Sequence, residues 1–328
     1  MKFSVVIPTY NRASELVETL RSLAGVRTAG GWELIVVDNN SNDETRKVVE
    51  EVQPTFPVEL LYLFEKEPGR CAAMNAGIGV ARGEIIVNTD DDVRVDADWL
   101  DQTAAGLERL KCDYVGGKVL PIWGGPKPAW LSESGGRHWS VIALLNYGTE
   151  PVEFGVRYAP LGVNLAFHRY CFERAGLWDN RVGRKAGTLL GQEVREWCMR
   201  ARAAGLRGFY IPGMVVNHVI PADRLNKAYF RRWFYWHGIS RALLYKQQGL
   251  DMTSPEETSL DYTKVPHIGG VPRFMYRQFL NSGGQMLKNA VSGKPIASFE
   301  NELYLWFFAG VLKQRWKDRK LPVGKRPG

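Results

Sequence analysis

Glu84-Ile-Ile-Val-Asn-Thr-Asp-Asp-Asp92 decides how this chain is read, because it carries an apolar run of strand length directly into three consecutive aspartates. A short continuous apolar run is the pattern of a strand covered on both faces of a sheet. Three adjacent carboxylates repel one another unless a cation, a cap or bulk water relieves them. At the end of a buried strand a cation is the economical answer. Hard divalent ions such as Mg²⁺ or Mn²⁺ take carboxylate oxygen from the protein and further oxygen from substrate phosphates. The competing reading is a solvated acidic turn.

Upstream of this stretch the chain alternates apolar runs with amphipathic ones, the pattern of βα units feeding a mostly parallel sheet. Phe3 to Pro8 predicts a strand, followed by Leu16, Leu20 and Leu23 on one helix face ended by Gly25. Leu34-Ile-Val-Val37 predicts a second strand, and Ser41-Asn-Asp-Glu44 has the form of a capping box opening the next helix. Gly69 precedes a helix expected over Ala72 to Ala81, which leads to the third strand at Glu84 to Val87. Ligands of open α/β sheets gather beyond the carboxyl ends of the strands. The residues to read there are Thr9-Tyr-Asn-Arg12, Asp38-Asn-Asn-Ser41 and Asp90-Asp-Asp92.

Downstream, a Pro-, Gly- and Trp-rich stretch from Leu120 to Pro160 (Trp123, Pro126, Trp130, Gly135, Gly136 and Trp139 among it) reads as binding loops or lids. Order resumes with Val163 to Phe167, a helix from Glu193 to Ala204 and a short strand near Phe209. After Trp236 the remainder reads as helical, with a polar linker from Asp251 to Thr263. With 328 residues, 45% of them apolar, the chain is long enough for a real core. Cys71, Cys112, Cys171 and Cys198 are scattered without a CxxC pair, which suggests neither a disulfide framework nor a zinc site. No stretch is long enough to cross a bilayer and the N-terminal run is too short for a signal peptide, so a cytoplasmic location is expected.

Val5-Val-Ile-Pro-Thr-Tyr-Asn-Arg12, Val36-Val-Asp-Asn-Asn-Ser41, Gly69-Arg-Cys-Ala-Ala-Met-Asn-Ala-Gly77 with Ala81-Arg-Gly-Glu84, and Asp90-Asp-Asp92 follow one another in an order and spacing that resembles the family-2 glycosyltransferases. The resemblance implies the GT-A fold, a Rossmann-like sheet flanked by helices, and an inverting, metal-dependent transfer from a nucleoside-diphosphate sugar, a UDP-sugar first among them. It further implies that Thr9 and Asp38 recognise the nucleotide, that Pro8, Tyr10, Arg12, Asn75 and Asp91 belong to the donor site, and that Arg70 contacts the diphosphate. Asp90 is expected near ribose and metal, and Asp92 on the metal. His218, in Val215-Val-Asn-His-Val-Ile220, is the late histidine that completes the metal shell in many GT-A enzymes; a structural role is the alternative.

The acceptor half is expected in two segments. Gly162-Val-Asn-Leu-Ala-Phe167 resembles the strand beneath the acceptor, with Asn164 either at the site or satisfying buried backbone. Gly191-Gln-Glu-Val-Arg-Glu-Trp-Cys-Met-Arg200 resembles the helix carrying the catalytic base, but Val194 stands where the family has an aspartate. Glu193 is then the expected base and Glu196 an acceptor-side residue. The alternative is that Glu193 favours the helix N-terminus while Glu196 pairs with Arg200.

The expected organisation is a catalytic domain over residues 1–235, with a donor half to about 118 and an acceptor half from 119, followed by a helical extension over 236–328. Tyr229, Trp233 and Trp236 fall on one helix face, which reads as packing or as an interfacial helix. The net charge of +8 and pI of about 9.3 suit nucleic acid or anionic lipid. Lys317, Arg319, Lys320, Lys325 and Arg326 lie beside the aromatic run Leu303 to Leu312 with no nucleic-acid module, which favours peripheral contact with anionic membrane and a glycan or lipid-linked acceptor. Two other functions stay open: a sugar nucleotidyltransferase, although no Gly-rich basic loop follows the first strand, and a non-catalytic sugar-nucleotide-binding or scaffold protein, kept open by Val194.

Overall fold

Alternation along two neighbouring strands sets up the layers. β1 (Phe3–Thr9) is followed by α1 (Ala13–Leu23), and β2 (Trp32–Asp38) by α2 (Thr45–Val52). Val5, Ile7, Leu34 and Val36 point into one core with Leu16 and Leu20 of α1, whereas Val6, Ile35 and Val37 point into another on the opposite face. That second core is covered by Ala73, Met74 and Ile78 of α3 (Arg70–Val80), which follows β3 (Leu60–Phe64). A sheet covered on both faces needs both side-chain sets apolar, which is why these strands read as continuous hydrophobic runs.

The computed structural model describes residues 1–131, 138–155, 157–248, 250, 251, 260, 261 and 266–320. Gly135 and Gly136, most of the linker expected from Asp251 to Thr263, and Lys325 and Arg326 lie outside the described residues. After α3 come β4 (Ile85–Thr89), β5 (Val93–Val95), α4 (Trp99–Leu110), β6 (Tyr114–Trp123), β7 (Val152–Glu153), β8 (Asn164–His168), α5 (Tyr170–Ala175), α6 (Glu193–Ala203) and β9 (Gly208–Ile220). Among the described residues the main sheet runs β3-β2-β1-β4-β8-β6-β9-β5, with β7 also on β9. It is parallel from β3 through β4; β8 then pairs antiparallel with both β4 and β6, and β9 runs parallel to β6. The α/β architecture and the GT-A-like sheet flanked by helices are as expected from the sequence.

Several local expectations need correction. Leu60-Leu-Tyr-Leu-Phe64 forms a further strand, an apolar run after Pro57 that falls between the second and third strands expected from the sequence and is not one of them. The helix expected to open at Ser41 begins at Thr45, whose amide and hydroxyl both bond the Asp43 carboxylate; Ser41 is occupied in the loop, its amide on Asp38 and its hydroxyl accepting from the Asn11 amide. The separate segments near Phe209 and Val215 are one 13-residue strand, with a register shift where it passes Gly117 and Lys118.

The remainder is helical: α7 (Lys227–Gln248), α8 (Arg273–Val291) and α9 (Pro295–Lys320). The division expected at residue 235 falls inside α7. α7 and α9 cross at two glycines. A Cβ on Gly238 would collide with the Phe307 carbonyl, and one on Gly310 with the Tyr235 carbonyl, so only glycine lets the two backbones approach this closely. Phe307, Phe308 and Val311 are buried against this junction and α8, and Leu303 is buried in the main core. The aromatic run expected to meet a membrane is therefore mostly packing. No helix among the described residues is long and apolar enough to cross a membrane.

Candidate functional site

The carboxyl ends of β1 and β4 open into a cleft of about 540 Å³. Two loops are first locked together above β1 and β2. Asn11 and Asn40 sit at φ of 51° and 68°, a left-handed conformation that asparagine tolerates better than most side chains. The Asn11 carboxamide accepts from the Asn42 amide, and the Asp43 carboxylate accepts from the Ala13 amide. Asn39 reaches further, donating to the carbonyls of Glu65 and Glu67 and accepting from the Gly69 amide at 2.7 Å. That bond places the first turn of α3, and with it Arg70, at the rim of the cleft.

The aspartate triplet divides three ways. Asp90 takes Arg70, whose guanidinium lies 2.8 Å away and also donates to the Gly162 carbonyl. Asp91 accepts from the Thr9 hydroxyl at 2.8 Å and lies 3.4 Å from Arg12. Asp92 faces Arg12 at 2.9 Å on one oxygen and His218 at 3.3 Å on the other. Burial pushes the Asp91 carboxyl up, with Arg12 opposing it and Asp92 adding to it. Burial acts on Asp92 in the same direction, but His218 and Arg12 outweigh it and hold that carboxyl well below its usual range. Burial also disfavours the Arg70 cation, and the nearby Asp90 and Glu193 reverse this, so it stays charged.

A divalent cation fits at Asp92 and His218. Asp92 Oδ1 is buried with no hydrogen-bond partner although the imidazole Nε2 stands beside it. His218 can donate from Nδ1 to the Ile142 carbonyl at 3.1 Å, the arrangement that in the neutral ring leaves Nε2 free to accept a metal. Asp90 is turned towards Arg70, and among the described residues no three His, Cys, Asp or Glu side chains form a closed metal cluster. Two protein donors, completed by phosphate and water, suit Mg²⁺ or Mn²⁺ rather than a caged ion.

Pro8, Thr9, Tyr10, Arg12, Arg70, the three aspartates and His218 thus share one cleft. Asp38 lies beneath it, its oxygens accepting from the Tyr62 hydroxyl at 2.7 Å and the Ser41 amide at 2.8 Å. Asn75 is spent on both backbone groups of Trp178, and Asn164 on the Trp99 indole and the carbonyls of Lys118 and Met214. On α6, Glu193 and Glu196 separate. Glu193 lies 3.8 Å from Arg70, its Oε2 buried without a hydrogen bond, while Glu196 makes two bonds of 2.8 Å to Arg200 inside its own helix. Sequence reasoning placed Asn39 in a strand-end segment without giving it a role, missed Arg184, Lys185 and Arg224 at the cleft, and took Tyr229 and Trp233 for packing or a membrane face. Nothing local distinguishes those cations from surface charge; only the folded cleft collects them.

A GT-A glycosyltransferase is the class of protein that this sheet and this strand-end cluster define. A sequence model described as glycosyl transferase family 2 matches residues 4–169, and the chain belongs to that family. A glucosyl-dolichyl phosphate glucuronosyltransferase of Haloferax volcanii is 27% identical over 76% of this chain and 80% of its own. The succinoglycan biosynthesis protein ExoM of Rhizobium meliloti is 31% identical over 40% of this chain, which spans less than half of that relative. Among solved structures, the mannosyltransferase PcManGT from Pyrobaculum calidifontis in complex with GDP-Man and Mn²⁺ aligns with a TM-score of 0.63 at 19% identity, covering 96% of this chain and 87% of that one. S. aureus TarS 1-349 in complex with UDP-GlcNAc aligns at 0.54 and 18%, covering 96% and 92%. Sugar transfer is therefore the function that stands, and nucleotidyl transfer and a scaffold role are set aside.

Proposed function

We propose that this glycosyltransferase takes a hexose from a nucleoside-diphosphate sugar, a UDP-sugar, and passes it with inversion to a hydroxyl of a glycan or lipid-linked acceptor, in the cytoplasm at the inner face of the cell membrane. The observation that carries the proposal is the cleft that holds both the Asp92–His218 pair and the Arg70–Asp90 pair, with the Glu193 carboxylate next to it, 3.8 Å from Arg70. Asp92 and His218 would hold Mn²⁺ or Mg²⁺, which supplies neutralisation of the charge developing on the leaving diphosphate. Arg12 holds Asp92 at 2.9 Å and is itself held beside Asp91, which Thr9 bonds, so Asp92 is oriented before a ligand arrives. Arg70 is within reach of both the diphosphate side and Glu193, and its planar fork suits phosphate oxygens.

Glu193 is the proposed base. The acceptor oxygen forms the new bond to the anomeric carbon while the bond from that carbon to the diphosphate oxygen breaks, its electron pair leaving with the phosphate. The acceptor proton passes to the Glu193 carboxylate. Trp233 and Tyr229 offer aromatic faces for an acceptor sugar, and Arg184, Lys185 and Arg224 add positive charge to the same wall. Nucleotide release from a panel of UDP- and GDP-sugars, measured with Mn²⁺ and again under chelation, tests the reading. Donor-specific, metal-requiring release is expected. No release with any donor, or full release under chelation, defeats it.

A further inference from the structure

With Leu303, Phe307, Phe308 and Val311 buried in helix packing, α9 leaves Trp306, Leu312 and Trp316 partly open, and the more exposed apolar stripe lies on α8. Leu280, Leu287 and Val291 occur at i, i+7 and i+11, which puts them on one side of that helix, and they are 71%, 63% and 90% exposed. Ile296, just past the turn into α9, is 46% exposed. The other side of α8 is satisfied: Met275 is buried and Phe279 packs on Phe308 of α9 at 4.9 Å between ring centres. α8 therefore has two apolar faces, and one of them meets nothing among the described residues. Single exposed leucines are ordinary, but a stripe of them is not.

The charges around this stripe select its occupant. Arg273, Arg277 and Lys288 lie on the exposed side, Lys294 follows in the turn, and α8 contains no aspartate or glutamate. None of these four cations has a carboxylate partner among the described residues. A second copy of the chain would bring two such cationic faces together with no acid to neutralise them, which argues against self-association. Nucleic acid would satisfy the cations and leave the leucines in water. An anionic bilayer satisfies both, with phosphates at the headgroup level and acyl chains beneath the stripe.

We propose that α8 lies in the plane of an anionic lipid surface, with Leu280, Leu287 and Val291 entering the acyl boundary and Arg273, Arg277, Lys288 and Lys294 on lipid phosphates. This deepens the membrane part of the functional reading and does not depend on the donor chemistry. Co-sedimentation of the full chain with vesicles of phosphatidylglycerol and phosphatidylcholine, against phosphatidylcholine alone, tests it. The unaltered chain is expected to bind the anionic vesicles at least tenfold more tightly, and to lose most of that preference at high salt. Leu280→Ser, Leu287→Ser and Val291→Ser together should weaken binding more than tenfold, with thermal unfolding and solution nucleotide release unchanged. Arg277→Gln, Lys288→Gln and Lys294→Gln should abolish the preference for anionic lipid. The inference is overturned if the unaltered chain ignores anionic vesicles, if either triple variant binds as it does, or if the leucine variant only converts a dimer to a monomer. If binding follows the expected pattern while nucleotide release is absent, the surface stands and the catalytic reading falls.

Discussion

The two walls of the cleft are built by different means. On one side Thr9 closes β1, and Arg12 and Asp90 to Asp92 follow strand ends within three residues, so the sheet itself sets their positions. On the other side Ile142, Arg184, Arg224 and Trp233 come from a 3₁₀ turn, an irregular loop, a second short turn and the first half of α7. Their distance from one another in sequence is large, and their meeting depends on how α7 docks. The difference suggests a division of labour, with a rigid wall for the part of the reaction common to many donors and an assembled wall that can vary with the acceptor. His218 belongs to both, since it sits on β9 and is oriented by the Ile142 carbonyl.

A change to the rigid wall should have the largest effect. Asp92→Asn keeps the shape of the side chain and removes the charge that pairs with Arg12 and His218. Metal support of a leaving group is worth several kcal/mol, so turnover should fall by about 10³-fold or more, and metal-dependent donor binding, read by thermal shift, should be lost. Near-normal activity would remove Asp92 from the metal site and leave the rigid wall without its proposed task.

On α6 the two glutamates should behave oppositely. Glu193→Gln is expected to reduce turnover by about 10²-fold or more with donor affinity nearly unchanged, because a general base contributes only in the reacting complex. Glu196→Gln should cost about 1–3 kcal/mol of stability in urea unfolding through its weakened tie to Arg200, with turnover of the folded fraction retained. The reverse outcome would move the base one turn along the helix.

The assembled wall should respond more gently. Trp233→Ala is expected to raise the acceptor KM by up to roughly tenfold, the range of an aromatic contact, and to leave donor binding alone. An equal effect on donor and acceptor would mean that the two walls are not separable in this way.

The smallest effect is expected at the opposite end of β2 from the cleft, away from both walls. Glu33 is buried, and although burial works against its charge, bonds from Ser4 and Arg82 hold its carboxyl below the usual range. A carboxyl depressed in the folded state adds stability that is present above its unfolded value and lost as pH falls through the folded one. Unfolding measured from pH 6 downward should therefore show a slope that Glu33→Gln partly flattens, while activity at neutral pH is unchanged.

The rigid wall is legible in the amino-acid sequence because strand ends are local. An apolar run names the strand, and the polar residues just past it must lie at the edge of the sheet, which places Thr9, Arg12 and Asp90 to Asp92 at a ligand site. Position on the helix likewise separates Glu193 from Glu196. Whatever depends on partners distant in the chain is settled only by folding. Asp38, Asn75 and Asn164 are held by Tyr62, Trp178, Trp99 and Met214, partners far off in the chain, because a buried polar group must be satisfied by whatever neighbour the fold supplies. Tyr229 and Trp233 have the pattern of packing residues and line the cleft, whereas Leu303 to Val311 have the pattern of a membrane face and are largely packed. An apolar side chain reads the same in sequence whether it meets a helix, a sugar or a lipid, and only the docking of α7, α8 and α9 decides which.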